Sequence, residues 1–315
     1  TRYGTVTGVQ TCALPISTNA ATYSATGLPT GITLNPSTGV LTIAANSPVG
    51  VYSITVSVTS SAGCAGASSA TVTYTRNAKA LTVTGATTSD KVYDGTTVAT
   101  VTGGSLVGVV SPDVVTLNQS GSFATKNVGT AIVITSTSTL GGADAGNYTL
   151  TQPTLTARNI TAKALTISGA SASNKVYDGT TTATLSGGSL VGVISPDVVT
   201  LNRAGSFADK NVGNNKAVTA TCTLSGTDAA NYSITQPTGL TANITPASLT
   251  ITPNNVTKCY GTTYTFPANG FTATGLVTGD AITSVTLASA GADIFADVLT
   301  YDITASAATG AAFSA

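Results

Sequence analysis

The side chains that could carry out chemistry in this 315-residue chain are aspartate, tyrosine, lysine, arginine and cysteine, because the sequence contains no histidine and no glutamate. Nucleophilic catalysis needs a base beside the nucleophile, and zinc sites need clustered nitrogen, sulfur or carboxylate ligands. Without histidine, the usual nucleophile–base pairs and zinc clusters cannot be assembled. Pairs of carboxylates remain, and such a pair could hydrolyse a glycosidic bond.

Most aspartates of the central region lie in sequences that form turns. Asp94 precedes a glycine, and Asp113 and Asp197 each follow a proline. Aspartate is favoured at such positions because its carboxylate accepts hydrogen bonds from nearby backbone N–H groups. We therefore predict structural roles for these carboxylates. No catalytic, cofactor-binding or metal-binding residue is assigned, no cofactor is expected, and the chain is predicted not to be an enzyme.

One repeated loop offers oxygen ligands to a metal. Asp144 and Asn147 lie in it, and Asp228 and Asn231 recur at the matching positions. Calcium takes six to eight oxygen ligands, and this loop supplies few of them. A calcium site at these loops is therefore a minor alternative to a structural role.

The tripeptide Tyr93-Asp94-Gly95 recurs as Tyr177-Asp178-Gly179. A motif repeated in a tandem array is first a folding motif: glycine supplies a positive φ, aspartate caps the turn, and tyrosine covers an edge of the core. We predict a turn, with ligand binding as the alternative.

The first residues point to an origin outside the protein, with a native strand as the alternative. The stretch from Val6 to Ile16 resembles the translation of a common short-read sequencing adapter, so residues 1–17 are predicted to be an artefact. The chain is also expected to be a fragment of a longer protein.

Removing that segment leaves three cysteines, Cys64, Cys222 and Cys259. Cys222 occupies the position that Ser138 holds 84 residues earlier, so the two copies fold without a shared disulfide. We predict small buried thiols. A bridge between Cys222 and Cys259 stays open as an alternative.

Composition favours an all-β fold. The chain lacks methionine and glutamate and is rich in threonine and valine, which suit a pleated, half-buried surface. Charged residues make up 8% and the formal net charge is zero, so the clustered lysine and arginine that nucleic acids and anionic membranes attract are missing. No run of eighteen apolar residues is present, so no membrane span is expected.

Internal repetition organises the chain. Lys91–Thr97 (KVYDGTT) recurs as Lys175–Thr181, 84 residues later, and a shorter form (KCYGTT) occupies Lys258–Thr263. Equal spacing along a whole unit indicates two copies of one domain. After the predicted artefact, the expected modules are residues 18–77, a partial immunoglobulin-like domain; 78–161, the first repeat; 162–246, the second repeat; and 247–315, a truncated third unit of the repeat series, which we call the third module.

Short strand-like runs alternate with turn sequences inside each copy, a pattern typical of a sandwich of about seven strands. Tyr148 and Tyr232 each follow an aspartate by four residues and precede an alternating strand, as at a tyrosine corner. Tyr52 could act similarly in the first module. We predict tandem immunoglobulin-like β-sandwich modules.

On the Tyr-Asp-Gly tripeptides and their Asn-Ile-Thr endings, residues 78–161 and 162–246 resemble the bacterial YDG repeat domain. Residues 247–315 resemble an incomplete MBG domain, and residues 21–58 resemble an immunoglobulin domain of large bacterial surface proteins. The resemblance implies an exported adhesin or haemagglutinin-like protein, and no catalytic residues come with it.

The leading expectation is a stalk or display segment of a bacterial adhesin, located on the cell surface or secreted, and monomeric and rod-like. The ligand of the full-length protein, a glycan or a protein, is unknown, and nucleic acid is excluded as a partner. One alternative is an accessory region of a secreted carbohydrate-active enzyme. The other is direct binding of a glycan or protein by the module loops.

The short links between modules make a measurable prediction. Ile160–Lys163 and Ile244–Ala247 are only a few residues of β-like sequence, which should restrict bending. Each sandwich should contribute on the order of 35 to 45 Å, given strands of the usual length with loops at both ends. Solution scattering of residues 78–246 should give a maximum dimension near twice one module's length. A compact particle would contradict the stalk hypothesis.

Overall fold

A computed structural model describes residues 21–43, 49–60 and 68–311. The predicted adapter segment and Cys64 lie outside these residues. The chain divides into two compact units, one formed by Thr1–Val92 with Thr96–Thr161, the other by Tyr93–Gly95 with Ala162–Ala315. The tripeptide Tyr93–Gly95 thus belongs to the second unit by its contacts, although its sequence belongs to the first repeat.

The first unit contains the first module and the first repeat. The strands of the first module are β1 (Ala21–Thr26), β2 (Ile32–Leu34), β3 (Leu41–Ile43), β4 (Gly50–Ser60) and β5 (Ser68–Arg76). Those of the first repeat are β6 (Lys79–Thr84), β7 (Thr87–Thr88), β8 (Lys91–Val92), β9 (Val98–Ala99), β10 (Val101–Thr102), β11 (Ser105–Val107), β12 (Thr116–Asn118), β13 (Gly121–Phe123), β14 (Gly129–Ile132), β15 (Ile134–Ser136), β16 (Thr139–Gly141), β17 (Tyr148–Leu150) and β18 (Arg158–Thr161).

The second unit contains the second repeat and the third module. The strands of the second repeat are β19 (Lys163–Ala172), β20 (Lys175–Val176), β21 (Thr182–Ala183), β22 (Leu185–Val191), β23 (Thr200–Asn202), β24 (Gly205–Phe207), β25 (Gly213–Ala220), β26 (Thr223–Ser225), β27 (Tyr232–Thr235) and β28 (Thr241–Thr245). The third module has β29 (Thr250–Pro253), β30 (Phe271–Thr274), β31 (Ala281–Ala288) and β32 (Thr304–Ala311). Helical structure in the described residues is limited to three one-turn 3₁₀ helices, Ala145–Asn147, Ala229–Asn231 and Ala290–Ala292. The all-β prediction is confirmed.

No helix among the described residues is long and apolar enough to cross a membrane.

In each repeat, the strand that opens the repeat and the short strand before the motif tyrosine lie in different sheets. In the second repeat, β19 lies between β22, which is antiparallel to it, and β27, which is parallel. The chain then crosses over, and β20 pairs in parallel with the last strand, β28. The first repeat has the same arrangement, with β6 parallel to β17 and β8 parallel to β18. This crossover brings the residue after β8 or β20 beside the end of the repeat.

The core of the second repeat lies between these sheets and consists of small and branched apolar side chains around one phenylalanine. Its buried members are Ala183, Leu185, Phe207, Val218, Ala220, Cys222, Ala242 and Ile244. Leu185 belongs to the sheet that contains β19, and most of the others belong to the five-stranded sheet that contains β20 and β28. The alternation of apolar and polar residues along each strand places one face inward.

The first repeat carries hydroxyls where the second carries apolar groups. Ser136 Oγ donates to Gln152 Oε1 at 2.6 Å and lies 3.1 Å from Ser138 Oγ, inside the core. The second repeat has Ala220 and Cys222 at these positions. Both serine hydroxyls are replaced, so neither is left buried without its partner. Such paired replacements change the free energy of unfolding little.

A strained residue marks the same bulge in both repeats. Ala131 and Asn215 each have a φ of 50°. They lie where β14 shifts register against β18 and where β25 shifts register against β28. Their N–H groups donate to Asn159 Oδ1 and Asn243 Oδ1 at 2.9 and 2.7 Å. The asparagine of the Asn-Ile-Thr ending therefore holds the bulge in place.

The bulge generates a matched pair of predictions. A left-handed conformation costs an alanine on the order of 1–2 kcal/mol, whereas glycine pays almost none of that cost and asparagine tolerates it. Ala131→Gly should stabilise the first repeat by about 1 kcal/mol, and Asn215→Ala should destabilise the second by a similar amount. Hydrogen exchange of β13 and β24 measures each repeat separately. Destabilisation by Ala131→Gly, stabilisation by Asn215→Ala, or no change in either repeat would contradict this account.

Candidate functional site

The repeated Tyr-Asp-Gly tripeptide lies in a turn that a lysine holds from inside; we call Lys91–Thr97 and Lys175–Thr181 the motif turns. Lys175 Nζ donates to Asp178 Oδ1 and to the carbonyl of Thr180, both at 2.7 Å. The Thr180 N–H donates to the same carboxylate oxygen at 2.9 Å. Gly179 has a φ of 77° and Gly95 one of 78°. The predicted turn is confirmed, including the capping role of Asp178.

The lysine also sets the charge of this turn. Its ammonium, together with the Thr180 N–H, lowers the pKa of Asp178 to about 2. Lys175 Nζ lies 5.6 Å from the centre of the Phe207 ring, and Lys91 Nζ lies 5.4 Å from that of Phe123. Each motif turn is therefore anchored to the core of its own repeat.

Strand pairing places the motif tyrosine at the end of its repeat. Lys175 and Val176 pair with Ile244 and Thr245 of the last strand. The Tyr177 N–H then donates to the carbonyl of Thr245 at 2.8 Å. Tyr177 consequently lies beside the residues that lead into the third module.

A second turn recurs in both repeats and in the third module, and it carries an aspartate at its fourth residue. These acidic turns are Val110–Asp113, Ile194–Asp197 and Val277–Asp280. In each, the N–H of the aspartate donates to the carbonyl of the first residue, at 2.8, 2.8 and 3.1 Å. The hydrogen bond across the turn fixes the carboxylate at its corner.

The predicted corner tyrosines hold the acidic turns from within each repeat. Tyr232 Oη donates to Asp197 Oδ2 at 2.7 Å and accepts from the N–H of Ile194 at 3.1 Å. Burial and this carboxylate raise the pKa of Tyr232 to about 12. In the first repeat, the Tyr148 hydroxyl donates to Asp113 Oδ2 at 2.6 Å and accepts from the N–H of Val110 at 3.2 Å.

At a tyrosine corner the hydroxyl bonds backbone a few residues upstream. The repeats differ from that geometry, because the backbone donors to Tyr148 and Tyr232 lie 38 residues upstream. The tyrosine-corner geometry is found at Tyr52, whose hydroxyl donates to the carbonyl of Val49 at 3.4 Å.

The motif tyrosine contacts the acidic turn of the next module. Tyr93 Oη donates to Asp197 Oδ2 at 2.7 Å, and the rings of Tyr93 and Tyr232 meet edge to face with centroids 5.4 Å apart. Tyr93 is only 1% exposed, and all of these groups belong to the second unit. One carboxylate thus accepts from two phenols, one from its own repeat and one from the preceding repeat.

The same contact recurs between the second repeat and the third module. Tyr177 Oη donates to Asp280 Oδ1 at 3.0 Å. Lys210 Nζ lies 3.7 Å from that oxygen and 5.9 Å from the centre of the Tyr177 ring. The Asp280 side chain is 7% exposed, so its charge needs these partners. Tyr177 and Asp280 raise the pKa of Lys210.

This arrangement joins modules and is unsuited to acid–base catalysis. The carboxylates of the acidic turns are each engaged by phenol hydroxyls, and a glycosidase needs a free pair of carboxylates across a sugar. Sequence reasoning gave Asp113 and Asp197 turn roles but missed that they accept from tyrosines. Lys210 and Asp280 were missed altogether. Recurrence of the aspartate at positions 113, 197 and 280, in step with the motif tyrosine, was the available signal.

The calcium alternative has a structural competitor. Asp144 Oδ2 accepts from the N–H of Val114 at 2.8 Å, and Asp228 Oδ2 accepts from that of Val198 at 2.9 Å. Within the described ranges, His, Cys, Asp and Glu form no group of three or more that could hold a metal ion. These two carboxylates hold the backbone of the residue that follows each acidic turn.

The cysteines only partly match expectation. Cys222 and Cys259 are both free thiols, so they are not bridged to each other. Cys222 is buried as predicted. Cys259 is exposed, and the prediction of a buried thiol was wrong because residues 254–259 form no strand in the third module.

Family models match the chain over nearly its whole length. The model described as YDG domain matches residues 77–156 and 161–239, together just over half of the chain. The chain belongs to the YDG domain family. The MBG domain (YGX type) matches residues 249–313, and the Putative Ig domain matches residues 3–77. The YDG protein is therefore a series of tandem immunoglobulin-like β-sandwich modules, as predicted.

Similarity beyond the family models is slight. No curated protein sequence matches the YDG chain. One solved structure to which it is similar is titled "Protocadherin gammaB7 EC3-6 cis-dimer structure", with 11% identity and a TM-score of 0.19 over 85% of this chain and 79% of that chain.

A double-mutant cycle tests the contact between the second YDG repeat and the third module. Tyr177→Phe and Asp280→Asn should each destabilise the third module by about 1.5–3 kcal/mol, the usual range for a hydrogen bond to a charged group. Together they should cost less than the sum, because both remove one interaction. Hydrogen exchange of β29 to β32 measures the effect.

Tyr301→Phe serves as the control, since it removes a hydroxyl of the third module that lies outside this contact. Its effect should add to that of Asp280→Asn without coupling. Simple additivity of Tyr177→Phe and Asp280→Asn would show that the hydrogen bond does not form in solution.

Proposed function

We propose that this chain is a non-catalytic spacer and display segment of a bacterial cell-surface or secreted adhesin. One observation carries the proposal: the tyrosine of each Tyr-Asp-Gly turn donates a hydrogen bond to the acidic turn of the next module. A motif that joins one module to the next serves the array, and it leaves the binding of an outside ligand to other parts of the protein.

The chemistry of the contact suits a segment that transmits position. A phenol donating to a carboxylate is a charge-assisted hydrogen bond, which is shorter and stronger than a neutral one. Both partners sit on turns that are fixed within their own modules, Tyr177 by Lys175 and Thr245, Asp280 by its turn hydrogen bond. Two rigid turns joined in this way limit the freedom of the short link at Ile244–Ala247.

The charge balance favours an extended display segment and disfavours a binding surface for polyanions. Charged residues make up 8% of the chain and balance to zero. Ion pairs within the modules take up part of this charge, as Lys216 pairs with Asp209 at 2.6 Å. The YDG and MBG resemblance to exported proteins supports an extracellular or cell-surface location, which is part of the proposal.

A second candidate function is direct binding of a glycan or protein by the third module. It has a cleft of about 710 Å³ lined in part by Tyr260, Tyr264, Phe266 and Tyr301. Small-molecule sites are commonly of this size and are lined by apolar and aromatic side chains. This observation favours a ligand that stacks on aromatic rings.

A competition experiment separates the two functions. Purified chain, added in excess to cells that carry the full-length protein, should leave their adhesion unchanged if the chain is a spacer. Deleting residues 162–245 from the full-length protein should reduce adhesion of the cells, while the ligand affinity of the solubilised protein stays the same. Replacing residues 162–245 by a copy of 78–161 restores the length and should restore adhesion.

Inhibition by the purified chain would overturn the spacer proposal and support direct binding. Loss of that inhibition on Tyr264→Ala would then place the ligand in the cleft of the third module.

A further inference from the structure

The third module contains a shortened motif turn. In Lys258–Thr263 the aspartate is missing, yet Lys258 Nζ donates to the carbonyl of Thr262 at 3.0 Å. Lys91 and Lys175 bond the carbonyls of Thr96 and Thr180 in the same way, each at 2.7 Å. The Thr262 hydroxyl closes the turn further by donating to the carbonyl of Cys259 at 2.7 Å. The turn is therefore formed, and Tyr260 has the place in it that Tyr177 has in Lys175–Thr181.

Tyr260 differs from its counterparts in exposure. Its side chain is 65% exposed, whereas Tyr93 is 1% exposed against an acidic turn. An exposed phenol on a fixed turn has its orientation set in advance, which lowers the entropy cost of binding.

The glycine of the motif turn shows what normally covers it. A Cβ added to Gly95 would lie 3.2 Å from Ile194 Cγ2, and one added to Gly179 would lie 3.1 Å from Val277 Cγ1. Ile194 and Val277 are the first residues of the two acidic turns that accept from the motif tyrosines. At Gly261, the corresponding glycine, a Cβ would meet nothing within 4 Å. The aliphatic residue that packs on the glycine and the carboxylate that accepts from the tyrosine thus come from one partner turn.

We propose that Tyr260 and Gly261 form a binding site for the acidic turn of a further β-sandwich module. The partner turn has four residues, a branched aliphatic residue first and an aspartate fourth, closed by the hydrogen bond between them. The aliphatic side chain covers Gly261, and the carboxylate accepts from Tyr260 Oη. This inference rests on the joining role assigned to the motif turns, and it adds the third module to the series.

The chemistry at the site selects this partner. A phenol donor fits a fixed carboxylate, and the bare glycine leaves room for one branched side chain beside it. Phe295, Val298 and Leu299, which are 78, 86 and 73% exposed, give the third module an apolar surface of its own. A folded module covers such a surface better than a small anion does.

An extended chain tests the proposal. A second copy of residues 149–246 is attached after residue 315, which places the copied Asp197 104 residues after Tyr260, the separation of Tyr93 and Asp197. Nitration of Tyr260 by tetranitromethane is followed by peptide mass spectrometry, with Tyr264 as internal reference. Nitration of Tyr260 should be about tenfold slower in the extended chain than in the 315-residue chain.

The matched control is the extended chain with Asn in place of the copied Asp197. Tyr260 should regain most of its reactivity there, because the acceptor of its hydroxyl is weakened. Equal nitration rates in the original chain, the extended chain and this control would overturn the proposal.

A graft keeps the proposal testable if the extended chain does not fold. Lys175–Thr181 is replaced by the sequence of Lys258–Thr263, so that the shortened turn faces Asp280. The coupling between the grafted tyrosine and Asp280, measured as fold-change in exchange protection, should stay within about twofold of the original. Loss of this coupling, with the original Tyr177–Asp280 coupling intact, would refute the binding role of the shortened turn and leave the spacer function standing.

Discussion

The carboxylate of Asp197 accepts hydrogen bonds from the hydroxyls of Tyr93 and Tyr232, and the rest of the second unit is arranged so that this can happen. Asp197 is half-buried, and a carboxylate that loses contact with water needs hydrogen-bond donors in its place. The acidic turn fixes it from one side, and the corner tyrosine holds that turn from the other. The motif tyrosine can then arrive from the preceding repeat with little left to order.

The position of the motif tyrosine depends on the crossover of the chain from β19 to β20, which lie in different sheets. Since β20 runs parallel to β28, Tyr177 lies beside Thr245, at the point where the chain leaves the repeat. A motif near the start of the repeat in sequence is thereby brought to its end in space. The Lys175 ammonium, bonded to the turn and lying over Phe207, keeps the turn from drifting. Local strand pairing thus becomes a contact between modules.

The two repeats show which features tolerate change. Their cores differ, with serines in one and alanine and cysteine in the other, yet both pair their opening and closing strands in the same way, because each set of buried polar groups is complete or absent. The motif turns and acidic turns agree in both sequence and geometry. In an array whose modules contact only their neighbours, such junction contacts add a nearest-neighbour free energy that couples the unfolding of adjacent modules.

The sequence by itself determined the all-β class, the 84-residue repeat, and the turn at Tyr-Asp-Gly, because composition, spacing and the φ preference of glycine are local properties. It also indicated that Asp113 and Asp197 lie in turns. The tertiary structure alone decided that the carboxylates accept from tyrosines of two modules, that Lys210 approaches Asp280, and that Cys259 is exposed. These contacts join residues up to 104 positions apart, and their existence depends on which strands cross between sheets. No local pattern encodes that crossover, so the aspartate that recurs in step with the motif tyrosine could not be assigned as its partner from the sequence alone.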